Sequence, residues 1–365
     1  MTILVMPSLT CNLKCQYCFE RNVWESEVSG LKHNPDAIFS LLENVVRKYN
    51  ANHVCLHGGE PLTLPLNELE YYMHRIRNMG LSISIQTNGT LITKEHIKLF
   101  KKYGVHVGIS VDGPPEIDTI RGSDKKINHL LDKVINEMVK EKVSVGVLCV
   151  LSKTNATGDA LDRLCEWIIK LSKMGIEGRL LKMRDFFGIS REFELEPDEM
   201  ANAWEKIYMS LRSVGMEYKW SPFRDFILSL QGRRKEAVCW LNECDPFCTD
   251  SCHVILPDAT ETICDRAFFM GLIIRPNDKN NIRQQILANT DCKGCRWFPN
   301  YCVGGCPLDG IDGDWRNKSK WCPAIYRMFE IISKEYPPMR PSQQILRGEH
   351  GDIPHGDFTN HGDSY

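Results

Sequence analysis

Three cysteines near the start of the chain have the spacing of a metal-binding loop. Cys11, Cys15 and Cys18 form a Cys-x3-Cys-x2-Cys pattern. Three thiolates leave one iron of a [4Fe–4S] cube without a protein ligand, and an open position of this kind is where a catalytic metal site does its chemistry. A zinc ribbon is the alternative, but it prefers two Cys-x2-Cys pairs. The triplet therefore favours an iron–sulfur cluster with one reactive corner.

A glycine-rich turn and an aromatic residue accompany the cysteines. Gly58, Gly59 and Glu60 follow the second predicted strand, and paired glycines let a backbone approach a ligand closely. Glu60 has a second interpretation, in which its carboxylate holds the turn through a local hydrogen bond. Tyr17, next to Cys18, is expected either to stack on a purine-like ligand or to cover the cluster from water.

Residues 1–185 alternate short apolar runs with amphipathic stretches. Val, Ile and Leu dominate the runs, as in buried parallel strands. Predicted strands cover 3–6, 53–57, 81–86, 106–111, 143–151 and 178–183, and predicted helices cover 37–49, 66–79, 94–102, 125–140 and 159–173. This alternation predicts an α/β fold with a parallel sheet that is open or curled into a partial barrel. Ligands of such folds bind at the carboxyl ends of the strands, where residues 57–61, 86–89 and 110–113 lie.

Composition excludes several classes of function. The 365 residues are 42% apolar and 25% charged, as in an ordinary globular protein. A formal charge of −2 gives no electrostatic case for nucleic acid binding. No apolar run is long enough to span a membrane, and the first residues do not resemble a signal peptide. Sixteen cysteines without a secretory signal indicate a reducing cytoplasm and metal–thiolate chemistry rather than disulfides.

The second half of the chain is rich in cysteine. Residues 186–235 predict a helical bridge, and ten of the sixteen cysteines lie within residues 239–322. A segment so rich in Cys, Gly and Pro has too little apolar core to fold alone, so residues 236–335 predict a module held by metal clusters. Residues 324–334 predict a closing helix, and residues 336–365 a flexible tail. Three further cysteines fall in predicted strands or helices and are expected in the core: Cys55, Cys149 and Cys165.

The cysteine loop with an aromatic residue before Cys18, followed by Gly-Gly-Glu-Pro, resembles the radical S-adenosylmethionine (radical SAM) superfamily. Residues 86–90 and 110–114, with Arg121 and Gly122, resemble its branch of anaerobic sulfatase-maturating enzymes and peptide-modifying SPASM proteins. The resemblance implies a partial (β/α)6 TIM-like barrel and a C-terminal SPASM domain with two auxiliary [4Fe–4S] clusters. It also implies that S-adenosylmethionine binds the open iron and is cleaved reductively to a 5′-deoxyadenosyl radical, which abstracts hydrogen from the substrate.

The resemblance carries over to single positions. It assigns the cofactor-binding residues to the loops after the strands: Tyr17, Gly58, Gly59, Glu60, Asn88, Ser110 and Arg121. Tyr17 would lie near the adenine, and the backbone of Gly58 and Gly59 would contact the amino group of SAM. Ser110 would face the ribose or carboxylate side, and Arg121 would bind the carboxylate with its directional fork. Read without the family, Ser110 is a turn residue and Arg121 forms a surface ion pair.

The C-terminal cysteines resemble the SPASM core, with a middle spacing one residue longer than usual. The family pattern assigns four cysteines to an outer cluster: Cys292, Cys295, Cys302 and Cys322. It assigns four more to an inner cluster: Cys244, Cys248, Cys264 and Cys306. Cys239 and Cys252 compete with Cys244 for the last inner place, or the inner cluster keeps an open iron that binds substrate. Zinc is the alternative metal for four of these cysteines: Cys292, Cys295, Cys302 and Cys306. Ala259 occupies a usual glycine position, where it is strained if the turn needs a positive φ.

Asp265 directly follows Cys264. In sulfatase-maturating enzymes a Cys-Asp pair at this point carries the proton acceptor, and an aspartate beside the inner cluster is suited to general base catalysis if it reaches the substrate. The alternative is an aspartate that caps a turn.

The expected function is that of a radical SAM maturase. It would act on a peptide or protein substrate, with an electron donor such as flavodoxin or ferredoxin, and leave a crosslink or an oxidised residue. Sulfatase maturation, a small-molecule reaction and simple electron transfer are the alternatives. His-Gly-Asp occurs three times in the tail, at 350–352, 355–357 and 361–363, and is interpreted as an adventitious metal ligand, a solvated segment or a substrate-like sequence.

Overall fold

A sheet that is parallel over most of its strands organises the chain. The computed structural model describes residues 2–20, 33–117, 120–122, 127–185, 188, 190–242, 244, 253–270 and 282–339. The strands are β1 (Thr2–Ser8), β2 (His53–Gly58), β3 (Ser82–Thr87), β4 (His106–Ser110), β5 (Val145–Leu151), β6 (Glu177–Lys182), β7 (Trp220–Ser221), β8 (His253–Ile255) and β9 (Glu261–Thr262). Their order across the sheet is β7-β6-β5-β4-β3-β2-β1-β8-β9, and only the β8–β9 pair is antiparallel. Because β1 and β6 are not neighbours, the sheet stays open.

Helices connect the strands and cover the sheet. They are α1 (Pro35–Tyr49), α2 (Leu66–Asn78), α3 (Lys94–Tyr103), α4 (Ile127–Lys140), α5 (Gly158–Lys173), α6 (Pro197–Arg212), α7 (Phe223–Leu230), α8 (Cys239–Asn242), α9 (Asp265–Phe269), α10 (Ile282–Asn289) and α11 (Cys322–Ile332). None of the helices in the described part of the chain is long and apolar enough to cross a membrane.

Helix α1 shows how local sequence sets these boundaries. Asn34 caps its first turn, with Oδ1 accepting from the backbone N–H of Ala37 at 3.1 Å, and Pro35 occupies the first turn, where its missing N–H is not needed. Asn50 ends the helix in the left-handed conformation, with φ of 51°. Capping at both ends leaves the apolar stripe, which includes Ile38 and Leu42, to pack on the sheet.

The α/β alternation predicted for the first half of the chain is confirmed. Each of the six predicted strands overlaps one of β1–β6, and the bounds of most differ by two residues or fewer. The helices α1–α3 and α5 also lie where the periodicity placed them, and α4 is described from Ile127 onward. The family resemblance implied a partial barrel of six strands. The observed sheet contains these six strands and three more, β7, β8 and β9.

The cysteine-rich half extends this sheet. Strand β8 lies parallel to β1, with Ile3 opposite His253 and Val5 opposite Ile255, so it covers the edge that would otherwise be exposed. The turn between β8 and β9 contains Ala259 with φ of 66°. Alanine therefore adopts a left-handed conformation at a position where the SPASM pattern usually has glycine.

An aromatic cluster joins the middle of the chain to the closing helix. Phe226 of α7 packs edge-on against Phe329 of α11, with ring centroids 4.9 Å apart, and Trp297 stacks on Phe329 at 5.1 Å. Trp204 of α6 contacts Phe226 from another side. The three cysteines expected in the core are confirmed as buried: Cys55, Cys149 and Cys165.

Candidate active site

A cavity of about 230 Å³ lies at the carboxyl ends of the parallel strands, where the α/β pattern predicted a ligand site. The loop after β1 supplies three of its cysteines and α8 supplies Cys239, while polar residues come from the loops after β2, β3 and β4. The predicted site residues that line this cavity are Cys11, Cys15, Tyr17, Cys18, Gly58, Gly59, Glu60, Asn88, Ser110, Arg121 and Asp265.

The loop after β1 approaches the turn after β2 so closely that Gly58 and Gly59 have no room for a side chain. A Cβ on Gly58, whose φ is +123°, would lie 2.3 Å from the carbonyl oxygen of Ser8, and a Cβ on Gly59 would lie 2.4 Å from those of Leu9 and Thr10. The N–H of Gly59 donates to the Ser8 carbonyl at 3.1 Å. The glycine pair therefore binds the cysteine loop directly, and its contact with a ligand stays a prediction.

Glu60 holds the loops together, as its second interpretation proposed. Its buried carboxylate accepts hydrogen bonds from the Thr87 hydroxyl at 2.6 Å, the Asn88 N–H at 2.6 Å and the Leu62 N–H at 3.0 Å. Burial raises the pKa of Glu60, while these three donors oppose the shift. The side chain thereby fixes the end of β3 against the turn after β2.

Asn88 connects this network to the cysteine loop. Its Nδ2 donates to Asn12 Oδ1 at 2.8 Å and lies 3.9 Å from Cys11 Sγ. Its Oδ1 accepts from the hydroxyl of Thr90 at 2.6 Å. The amide of Asn88 is thus committed to orienting the loop that carries Cys11.

Arg121 forms a buried ion pair with Asp112. The guanidinium donates from Nε at 3.2 Å and from Nη2 at 3.1 Å to the two carboxylate oxygens, and both side chains are buried. The hydroxyl of Tyr17 also bonds to Asp112, and the Arg121 guanidinium lies 5.5 Å from the Tyr17 ring centroid. The surface ion pair considered for Arg121 is wrong, because the pair lies inside the site. The hydrogen bond from the Tyr17 hydroxyl to Asp112 links the cysteine loop to the loop after β4.

The three loop thiols share one electrostatic environment. Burial raises the pKa of Cys11 to about 11, with Glu60 and Cys15 adding to the shift. Burial also raises the pKa of Cys15 and of Cys18, although Arg121 opposes the shift at Cys15. Burial therefore disfavours the thiolate form at all three positions. A cationic metal group stabilises thiolates, so these thiols are suited to bind one.

Four described cysteines of the second half influence one another's pKa, and Cys239, a competitor for the last inner place, is one of them. Cys239 and Cys306 both raise the pKa of Cys244, and the charge of Cys306 raises that of Cys264. The hydrogen bond from Cys244, followed by Arg184 and Lys182, lowers the pKa of Cys306 to about 5. Cys248 and Cys252 lie outside the described residues. Among the described cysteines, Cys239, Cys244 and Cys306 influence one another, and Cys306 also acts on Cys264, so the inner ligand set stays a prediction.

The outer four cysteines also neighbour one another. Burial raises the pKa of Cys292 to about 12, and Cys302, Cys322 and Cys295 add to the shift. In the described part of the chain, no three His, Cys, Asp or Glu side chains converge on a point that could hold a single metal ion.

Asp265 begins helix α9 and is buried at the wall of the cavity. Its Oδ1 lies 4.0 Å from Cys264 Sγ. Glu20 faces it, and burial together with the charge of Asp265 raises the pKa of Glu20 to about 8. Burial lowers the pKa of His57, although Asp265 opposes the shift, and the Nδ1 atom of His57 has no hydrogen-bond partner among the described residues.

Sequence reasoning missed the partners of the predicted residues. Asp112 stands inside the 110–114 stretch, and His57 directly precedes Gly58, so their position after strands was the available signal. Glu20, two residues after Cys18, and the pair Lys182 and Arg184 carried no motif. Their role follows only from burial against groups distant in the sequence.

Comparison with known proteins agrees with this geometry. Residues 5–178 match the family model of the radical SAM superfamily. This chain carries a radical SAM domain. The superfamily uses a [4Fe–4S] cluster and S-adenosylmethionine, so the radical SAM domain makes the chain an enzyme with a radical oxidoreductase mechanism.

Two kinds of relatives define the branch. The cysteine-type anaerobic sulfatase-maturating enzyme of Clostridium novyi (strain NT) is 26% identical over 344 residues, which cover 84% of this chain and 87% of that one. The structure described as native anSMEcpe with bound AdoMet and Cp18Cys peptide has a TM-score of 0.73 at 21% identity and covers 92% of this chain and 97% of its own. Streptococcus suis SuiB bound to S-adenosylmethionine has a TM-score of 0.57 at 15% identity, covering 87% and 76%. The two structures show the shared fold around the radical SAM domain.

Proposed function

We propose that this radical SAM enzyme oxidises a cysteine or serine residue of a peptide or protein to formylglycine. Two curated relatives that match most of its length are named as cysteine-type anaerobic sulfatase-maturating enzymes. The observation that carries the proposal is that Asp265 and the cysteine loop line the same cavity. Sulfatase maturation, considered above as an alternative, is therefore favoured over peptide crosslinking.

The reaction removes a hydrogen atom from Cβ, a proton from the thiol or hydroxyl and one further electron, which an auxiliary cluster would accept. With a cysteine substrate, water then hydrolyses the thioaldehyde to formylglycine, and the sulfur leaves as hydrogen sulfide. When bound, the cluster and S-adenosylmethionine supply a one-electron source and a hydrogen-atom acceptor. The Cβ–H of the substrate must therefore face the loop of Cys11, Cys15 and Cys18, while the thiol or hydroxyl proton faces a base. Asp265 lines the same cavity, and its helix α9 contacts the cysteine loop through Phe269 and Phe19, whose ring centroids are 6.1 Å apart. Its carboxylate would accept this proton.

Two buried neighbours support the base. The Nδ1 atom of His57 is a buried polar atom without a partner in the described residues, and a substrate hydroxyl or thiol in the cavity would supply one. Glu20 retains its proton at neutral pH because its pKa is raised to about 8. Asp265 then faces a neutral carboxyl group at Glu20.

The metal ligands are proposed from the thiol groups. Cys11, Cys15 and Cys18 would hold the SAM-binding cluster. The inner auxiliary cluster would use Cys239, Cys244, Cys264 and Cys306, and the outer one Cys292, Cys295, Cys302 and Cys322. An electron donor such as flavodoxin or ferredoxin would reduce the first cluster.

Incubation with a peptide tests the proposal. The purified, anaerobically reconstituted enzyme, S-adenosylmethionine and a reductant are mixed with two peptides from a sulfatase active-site sequence, one with cysteine and one with serine at the target. Mass spectrometry is expected to show an aldehyde at that residue, trapped by a hydrazine reagent, with the wild type and none with Cys15→Ala. A crosslinked peptide, or no aldehyde despite formation of 5′-deoxyadenosine, would refute formylglycine formation.

A further inference from the structure

Two buried cations share one carboxylate beside the inner thiols. Lys182 ends β6 and its Nζ lies 3.2 Å from Asp309 Oδ2. Arg184, two residues further, lies 2.6 Å from Asp309 Oδ1 through Nε and 2.9 Å from Oδ2 through Nη2. The side chains are 4%, 8% and 1% exposed for Lys182, Arg184 and Asp309. Two basic side chains therefore share one carboxylate, although burial lowers the pKa of Lys182 and Asp309 opposes that shift.

A surplus of buried positive charge is costly unless another anion offsets it. Lys182 obtains part of the compensation from the ring of Trp240, whose centroid is 4.3 Å from Nζ. Arg184 also interacts electrostatically with three thiols, those of Cys306, Cys239 and Cys264. Lys182 interacts with Cys306 as well.

The backbone fixes this arrangement. Asp309 lies three residues after Cys306, and its N–H donates to the Cys306 carbonyl at 3.1 Å. The ion pairs thus tie the end of β6 to the loop that carries an inner thiol. Other charges nearby are Arg266, which acts on Cys239 and Cys264, and Lys320, which acts on Asp309 but is paired with Glu194 at 2.6 Å.

We propose that Lys182, Arg184 and Asp309 form a charge-compensating group that raises the reduction potential of the inner iron–sulfur cluster. The inference rests on the proposed inner ligand set. A cube held by four thiolates is anionic and gains a further negative charge on reduction, and potentials of such clusters depend on the surrounding charge and burial. A fixed cation stabilises the more negative state strongly where water is excluded. The three side chains act through the reduction potential of the cluster, so they are positioning residues rather than catalytic ones.

Two substitutions that change the local charge in opposite directions test the proposal. Lys182→Met removes a cation of similar length, and Asp309→Asn removes the anion at nearly constant shape. In the reconstituted full-length enzyme without peptide, a redox titration followed by electron paramagnetic resonance is expected to shift the inner cluster to a more negative potential in Lys182→Met and to a more positive one in Asp309→Asn. A purely structural role would move both in the same direction or lower the iron content without a shift.

A matched control comes from the outer thiols. Lys318 acts electrostatically on Cys322, so Lys318→Met should shift the outer cluster and leave the inner potential unchanged. The inner signal is identified by its loss in Cys264→Ala. An unchanged inner potential in both Lys182→Met and Asp309→Asn, or weaker peptide binding in Lys182→Met without a shift, would overturn the proposal. Wild-type signals that all survive in Cys264→Ala would also overturn it, whereas formylglycine formation is measured separately and would stand.

Discussion

Asp112 and Arg121 form a two-point ion pair at the wall of the cavity, with Nε–Oδ2 and Nη2–Oδ1 distances of 3.2 and 3.1 Å. The backbone N–H of Val150 donates to Asp112 at 2.9 Å, so the carboxylate also fixes β5. The family resemblance expects Arg121 to bind a ligand carboxylate. In this structure the edge formed by its Nε and Nη2 binds a carboxylate of the protein itself.

Arg121→Ala should therefore destabilise the fold as well as the site. Removing one partner of a buried pair leaves an uncompensated charge, which costs about 3–5 kcal/mol. Denaturant unfolding should show this loss, whereas Arg296→Ala, which breaks an exposed pair with Glu330, should change the free energy of unfolding by less than about 1 kcal/mol. Equal effects of the two variants would show that the Asp112 pair is not a structural element.

Glu60 is expected to matter through its three hydrogen bonds. Glu60→Ala leaves the buried donors of Thr87, Asn88 and Leu62 without their acceptor and should cost about 3 kcal/mol or more of unfolding free energy. Glu60→Gln keeps one oxygen acceptor and should lie between Glu60→Ala and the wild type. The same denaturation series measures both, and a surface variant, Glu141→Ala, should differ from the wild type by about 0.5 kcal/mol at most. A Gln variant less stable than the Ala variant would contradict the assignment.

A substitution at Ala259 is expected to stabilise the protein, in contrast to those at Arg121 and Glu60. Its φ of 66° is costly for an L-residue by roughly 1–2 kcal/mol, and glycine loses more chain entropy on folding. Ala259→Gly should therefore raise the free energy of unfolding by about 1 kcal/mol. Thermal unfolding of the two proteins with equal iron content measures the difference. A destabilised glycine variant would show that the turn is not strained.

Iron content tests the inner ligand set. Three cubes predict about twelve irons in each chain. Cys239→Ala should lose about four of them if the inner cluster disassembles without this thiolate, while Cys252→Ala should retain the full content. Iron and sulfide analysis after anaerobic reconstitution measures both, with Cys165→Ala as a core control because Cys165 is buried in α5. Loss of iron in Cys252→Ala with full content in Cys239→Ala would reverse the assignment.

Periodicity and motifs predicted most of the first half of the chain. The strands β1–β6 follow from apolar runs such as residues 143–151, and loop positions after them predicted which residues line the cavity. Strand β8 was missed because it has only three residues, and such a strand is stabilised by pairing with β1 rather than by its own pattern. The partner of Arg121 and the place of Cys239 in the inner set depend on contacts between distant segments, which spacing alone does not determine.

The direct test of the account is the coupling of SAM cleavage to peptide oxidation through Asp265. Wild type and Asp265→Asn are compared under anaerobic conditions with a cysteine peptide, and 5′-deoxyadenosine and formylglycine are quantified in the same samples. A positioned base contributes roughly 10²–10⁴-fold, so the variant should still form 5′-deoxyadenosine but yield about a hundredfold less formylglycine. Equal formylglycine from both proteins, or 5′-deoxyadenosine without formylglycine in the wild type, would contradict the account.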